Sequence, residues 1–168
     1  MKRFISTILI VCALVLLNTG CSKKTVNVTS AAAYTNFETT CLGIEQDGSQ
    51  TLRAWGKGRN KADAIEQAKK NAVSDVLFKG IKGSGECNQT PLVLEVNGRE
   101  RYAKYFNPFF SDGGEYTRFV TEEKSNEASR IKARGSAMEN WGIIVTVDRE
   151  GLRQQLEKDG VLKEGLTY

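Results

Sequence analysis

Few residues in this chain have the types and spacing that chemistry requires. They are two cysteines, Cys41 and Cys87, a loop reading GKGRNK from Gly56 to Lys61, and carboxylates spread over the chain. Histidine is absent. This excludes Ser-His-Asp and Cys-His nucleophilic pairs and any histidine-based zinc site. Two cysteines alone do not close a structural zinc site either, so no metal or cofactor is expected. Carboxylate-only catalysis stays open. Glu45, Glu86, Glu95, Glu100 and Asp112 are the candidates for an acid–base pair of the kind that hydrolyses glycans, although no spacing singles out two of them.

The GKGRNK loop runs into a helix, and helix N-termini attract anions. Its glycines are nevertheless only two apart. A phosphate-binding loop of the Walker type needs two glycines separated by four residues, followed by Lys and Ser or Thr. A dinucleotide loop counted from Gly56 needs a third glycine where Lys61 stands. Asp63 would also repel a phosphate. The loop therefore reads as a strand turning into a packed helix with a solvated rim.

Other residues suit binding better than catalysis. Tyr102, Tyr105, Phe106, Phe109, Phe110, Tyr116 and Phe119 crowd one segment, interleaved with Arg99, Arg101, Lys104 and Arg118. Aromatic rings with arginine are typical of binding surfaces. The candidate surface is Tyr102, Tyr105, Phe106, Phe109, Phe110 and Arg101, and the competing reading is that these rings complete the core. The strip Arg130, Lys132, Arg134 suits an anionic surface or a polar strand face. The formal net charge of the whole chain is +4, two charges of which come from Lys2 and Arg3, so no nucleic-acid partner is expected.

The N-terminus sets the expected compartment. Lys2 and Arg3 precede an apolar run from Phe4 to Leu17, the plan of a secretory signal over residues 1–20. Thr19-Gly20 stands directly before Cys21, which resembles the lipobox of bacterial lipoproteins, with Asn18 where an aliphatic residue is usual. Lipid on Cys21 would hold the protein to a membrane. Cys41 and Cys87 would then sit in an oxidising compartment. A disulfide contributing roughly 2–4 kcal/mol and a pair of buried thiols both fit.

The elements that must position these residues follow from periodicity. Residues 21–36 are polar and small, and read as a tether. A single domain is expected over 37–168. Phe37–Ile44 and Thr51–Gly58 flank Asp47-Gly48 as a hairpin. Asn60 caps a helix over Lys61–Lys79 that ends at Gly80, with Ile65, Ala68, Ala72 and Val76 on one face. Leu92–Val96 reads as a strand, and Arg99–Phe106 as helical before Pro108. Arg130–Ala137 alternates as a half-buried strand with Trp141–Val147 as its antiparallel partner. Asp148 caps a last helix, Arg149–Lys158, with Leu152 and Leu156 inward. The expected fold is α+β, two-layered, with a mostly antiparallel sheet and two main helices packed on one face.

AWGKGRNKADAIEQAKKNAVSDVLFKGI, with Gly56, Gly58, Ala64, Ala68 and Ala72 in place, resembles the Lpp-twenty lipoprotein family and the related FlgT N-terminal-like domain. ARGSAMENWGIIVTVDREGLRQQLE is similar to that family's closing strand pair and helix. Gln89–Glu127 is unmatched. The resemblance implies a small envelope domain with no catalytic site. The whole reading is of a cell-envelope protein, lipid-anchored and expected in the outer membrane facing the periplasm. It would act as a non-catalytic binding, structural or assembly component. Its expected partners are the membrane, through the lipid, and another envelope protein or peptidoglycan. The alternatives are a carboxylate-dependent hydrolase of envelope glycans and a small-ligand or glycan-binding module.

Overall fold

In the computed structural model the chain is described over residues 37–82, 86–123, 130–133 and 138–163. The expected signal, Cys21 and the tether lie outside these residues, as do residues 134–137 of the expected strand. The described residues all fall in one unit, Ala33–Tyr168.

The fold is α+β with a mostly antiparallel sheet, as the periodicities predict. Strands β1 (Thr40–Ile44) and β2 (Gln50–Gly58) form the hairpin. Gly48 turns at φ 85, a conformation that suits glycine, and Asp47 accepts the Ser49 N–H at 2.9 Å. β2 pairs along its whole length with β5 (Glu139–Val147). The other edge of β5 carries two short strands end to end. β3 (Val120–Glu122) faces Val145–Val147, and β4 (Arg130–Ala133) faces Asn140–Ile143.

The first helix, α1 (Lys61–Ser74), lies on β2 and β5. Ala64, Ala68 and Ala72 are completely buried beneath it, and Leu52, Ala54, Ile143, Val145 and Val147 meet them from the sheet. Small residues let the helix approach closely. Gly56 and Gly58 extend the same logic to β2. A Cβ added at Gly56 would overlap the Ala64 carbonyl oxygen and the Ala68 amide nitrogen, and one at Gly58 would overlap the Ala64 amide nitrogen.

The helix expected over Lys61–Lys79 changes character at its end: Asp75–Lys79 is a π-helical turn closing on Gly80, at φ 78. The turn also decides the conformation of the segment expected as a strand. Leu92–Val96 is not a strand. The Leu92 N–H donates to Val76 O at 3.1 Å and the Val93 N–H to Leu77 O at 2.8 Å, so carbonyls of the widened turn take the bonds a sheet neighbour would have taken.

The aromatic segment folds as two short helices, α2 (Gly98–Arg101) and α3 (Ala103–Phe109), then a 3-10 turn over Glu115–Phe119. The helix continues past Phe106, with Pro108 inside its last turn. The C-terminal helix α4 (Arg149–Lys158) is capped by Asp148, whose carboxylate accepts the Gly151 N–H at 2.7 Å. Leu152 and Leu156 of α4 join the same core as α1 and the aromatic rings.

Cys41 and Cys87 are bonded to each other, with their Cα atoms 5.8 Å apart. The bridge ties β1 to the chain that follows the π turn.

Candidate functional site

The aromatic residues are distributed differently from a binding platform. Phe106 and Phe109 are 1% and 3% exposed, and Tyr116 and Phe119 are buried beside them. Phe106 meets Phe78 edge-on at 4.8 Å, and Phe109 lies against Phe119 at 6.2 Å. Phe106 and Phe109 are therefore core residues, not part of a surface offered to a partner. Tyr105 and Phe110 are half-buried in the same cluster, and the Tyr105 hydroxyl donates to Asp159 at 2.8 Å, tying α3 to the end of α4. Tyr102 is half-buried and Arg101 is exposed, where it pairs with Glu95 at 3.2 Å. The rings belong to the core because they pack on one another and on Phe78, at the end of the π turn, and Phe119, in the 3-10 turn.

The rim of the GKGRNK loop is an open cavity of about 660 Å³. Its cations face equal numbers of carboxylates: Lys57, Arg59 and Lys70 against Asp63, Glu66 and Asp112. Lys70 holds Asp112 at 2.6 Å, Arg59 is 3.4 Å from Asp63, and Glu66 accepts the Tyr116 hydroxyl. The Asp63 N–H is already taken by the Asn60 side chain at 2.9 Å. The two glycines serve close packing of α1 on β2, and the site has no surplus positive charge for a phosphate.

Three of the candidate acid–base carboxylates are placed at separate sites. Glu95 and Asp112 line different cavities, and Glu45 accepts the Thr51 hydroxyl at 2.6 Å on the hairpin. Arg130 and Lys132 are likewise committed: Arg130 donates twice to Glu122, at 2.6 and 2.8 Å, and Lys132 pairs with Glu139 at 2.8 Å. Arg134 lies outside the described residues. Among the described residues, no three His, Cys, Asp or Glu side chains cluster as metal ligands, and no helix is long and apolar enough to cross a membrane.

A second cavity, of about 310 Å³, was not foreseen in the sequence. It lies between the chain at Pro91–Glu95, Tyr102, one side of α4 and the turn that follows α4. Leu92, Val93, Val161 and Leu162 supply apolar wall, while Arg149, Arg153, Glu157 and Lys163 supply charge. Its parts come from segments some sixty residues apart, so no local motif announces it. The polar groups are largely matched. Arg153 donates to Glu150 at 2.5 and 2.9 Å and to Glu157 at 2.6 Å. Glu95 is taken by Arg101. Arg149 differs, because its Nη1 is buried with no hydrogen-bond partner. Burial also works against its charged form, drawing the guanidinium down from its ordinary value.

The Arg153 bridge gives a pH prediction. Hydrogen bonds from Arg153, and then Gln154, hold Glu150 at about 2, below its ordinary 4.5. A carboxylate lowered in the folded state adds stability that is complete above the unfolded value and lost as pH falls through the folded one. Glu150 is mostly exposed, so the contribution is expected to stay under about 1 kcal/mol after screening. Urea unfolding from pH 6 down to pH 2 checks it: Glu150→Gln is expected to flatten the loss of stability between about pH 4.5 and 2. An acid limb identical to that of the unaltered chain would refute the assignment.

No family model, curated protein or solved structure matches this chain.

Proposed function

We propose that the chain is a lipid-anchored component of a bacterial cell envelope, held to the membrane through Cys21, and that it works by binding, without catalysis. The observation that carries this reading is the Cys41–Cys87 disulfide. Reducing compartments keep such pairs as thiols, whereas exported proteins keep them bonded. The signal-like start and the Thr19-Gly20-Cys21 sequence supply the route out and the attachment point. The dispersal of the carboxylates supports binding over hydrolysis. The role is that of a structural or assembly component facing the periplasm, with another envelope protein or peptidoglycan as partner.

Mass spectrometry of the protein made in a bacterium tests the anchor. The expected mature species begins at Cys21 and carries acyl mass, and Cys21→Ser moves the protein out of the membrane fraction. An unacylated mature start, or unchanged fractionation of Cys21→Ser, would remove the reading. A second function, small-ligand binding, is favoured by the cavity beside α4.

A further inference from the structure

We infer that the cavity beside α4 is a binding site for a small amphiphilic carboxylate, whose anionic head is taken by Arg149 and whose apolar body lies against Leu92, Val161 and Leu162. A volume of about 310 Å³ is at the lower end of those that hold small molecules. Its lining combines what such a ligand requires, aliphatic side chains together with cations. The charges within the site decide the sign of the ligand. Glu95 is neutralised by Arg101, and both Glu150 and Glu157 are turned onto Arg153. With Arg149, Arg153 and Lys163 set against Glu150 and Glu157, one positive charge remains.

Arg149 is the group with capacity left over. A buried N–H without an acceptor is costly; Nη1 is closed to solvent as it stands, so a ligand carboxylate would bond it once the guanidinium turns into the cavity it lines, gaining a charge-assisted hydrogen bond. Arg149 is also the first residue of a ten-residue helix, so the helix dipole favours a negative charge there. The surplus of a single charge, with carboxylates close by, suits a monoanion and disfavours a dianion such as phosphate. This inference concerns the folded domain and stands independently of where the protein is anchored.

Calorimetric titration of the full chain in phospholipid nanodiscs tests it, with hexanoate as probe and with hexanol and inorganic phosphate as comparisons. Empty nanodiscs correct for partitioning. Hexanoate is expected to bind saturably, with hexanol and phosphate each weaker by about tenfold or more. Arg149→Gln is expected to weaken hexanoate by about tenfold while leaving hexanol unchanged. Its thermal midpoint should hold or rise, because an unpaired buried charge is removed.

If Arg149→Gln fails to melt cooperatively, Leu94→Glu decides. Leu94 lines the cavity at 46% exposure, so it tolerates a polar side chain, and the added carboxylate should weaken hexanoate. The inference is overturned by absence of saturable hexanoate binding or by equal affinity for hexanol or phosphate. Hexanoate affinity indifferent to Arg149→Gln, or to Leu94→Glu where that variant decides, overturns it too.

Discussion

Gly56→Ala is expected to destabilise the fold by about 3 kcal/mol or more, a large effect for one methyl group. The new Cβ would run into the carbonyl oxygen of Ala64 and the amide nitrogen of Ala68, which are backbone atoms with no rotamer to retreat into. Relief requires α1 to lift from β2. That in turn opens the contacts of Ala64, Ala68 and Ala72, all completely buried. Interiors are close-packed and do not absorb such a shift cheaply. Gly43→Ala is the control, because an added Cβ at Gly43 meets nothing within 4 Å and its backbone has no positive φ. Urea unfolding of the two variants side by side measures the difference. A Gly56→Ala variant as stable as Gly43→Ala would show that the helix is not seated on the strand as described. The same measurement bears on the phosphate-loop reading, since glycines that cradled an anion would leave stability without ligand little changed.

Removing the Cys41–Cys87 bridge is expected to cost about 4 kcal/mol, from the loop entropy of a 46-residue separation. A domain of this size has about 5–15 kcal/mol in total, so the loss is a substantial share. Beyond the chain-entropy effect, the bridge fixes β1, a short edge strand whose five residues are all exposed or half-buried. Without it, β1 depends on its pairing with β2 and on a single parallel bridge from Thr40 to Lys82. Urea unfolding of the double variant Cys41→Ser/Cys87→Ser checks the expected loss. Reductant should lower the midpoint of the unaltered chain and leave the double variant unchanged. Equal stability of the bonded and serine chains would remove both the energetic claim and the main support for an exported protein.

What was legible in the sequence was what a period or a cap announces. The hairpin declares itself through Asp47-Gly48. The helix α1 does so through Asn60, whose side chain accepts the Asp63 N–H, and through alanines at helical spacing. The last helix is marked by Asp148 and by Leu152 and Leu156. Each of these signals is local, so local reasoning finds it.

Leu92–Val96 shows where such reasoning stops. Its aliphatic residues favour strand, but the backbone partner that decided the matter was a π turn some fifteen residues away. The aromatic segment fails for a related reason. Composition identifies Phe106 and Phe109 as large and apolar, and a core and a docking surface want the same residue types. What decides between them is non-local: Phe106 meets Phe78 and Phe109 meets Phe119, partners that no local pattern announces. Candidate-site legibility was lower still. Arg101, Tyr102 and Tyr105 were singled out for their company in sequence. Arg149, which carries the cavity, looks like any first-turn arginine until its neighbours turn out to be paired elsewhere.

The split edge of β5 has a consequence for how this domain tolerates change. The Glu123 N–H donates to Ile144 O, and Arg130 stands opposite Ile143, so the ladder resumes at the next partner along. The Arg130–Glu122 ion pair spans the junction, with the Glu122 side chain only 4% exposed. Pairing on either side is thus set by β5 and not by the length of the chain in between. Loop-closure entropy grows only slowly with length. A change in the number of residues between β3 and β4 is therefore expected to leave the register of the sheet as it is.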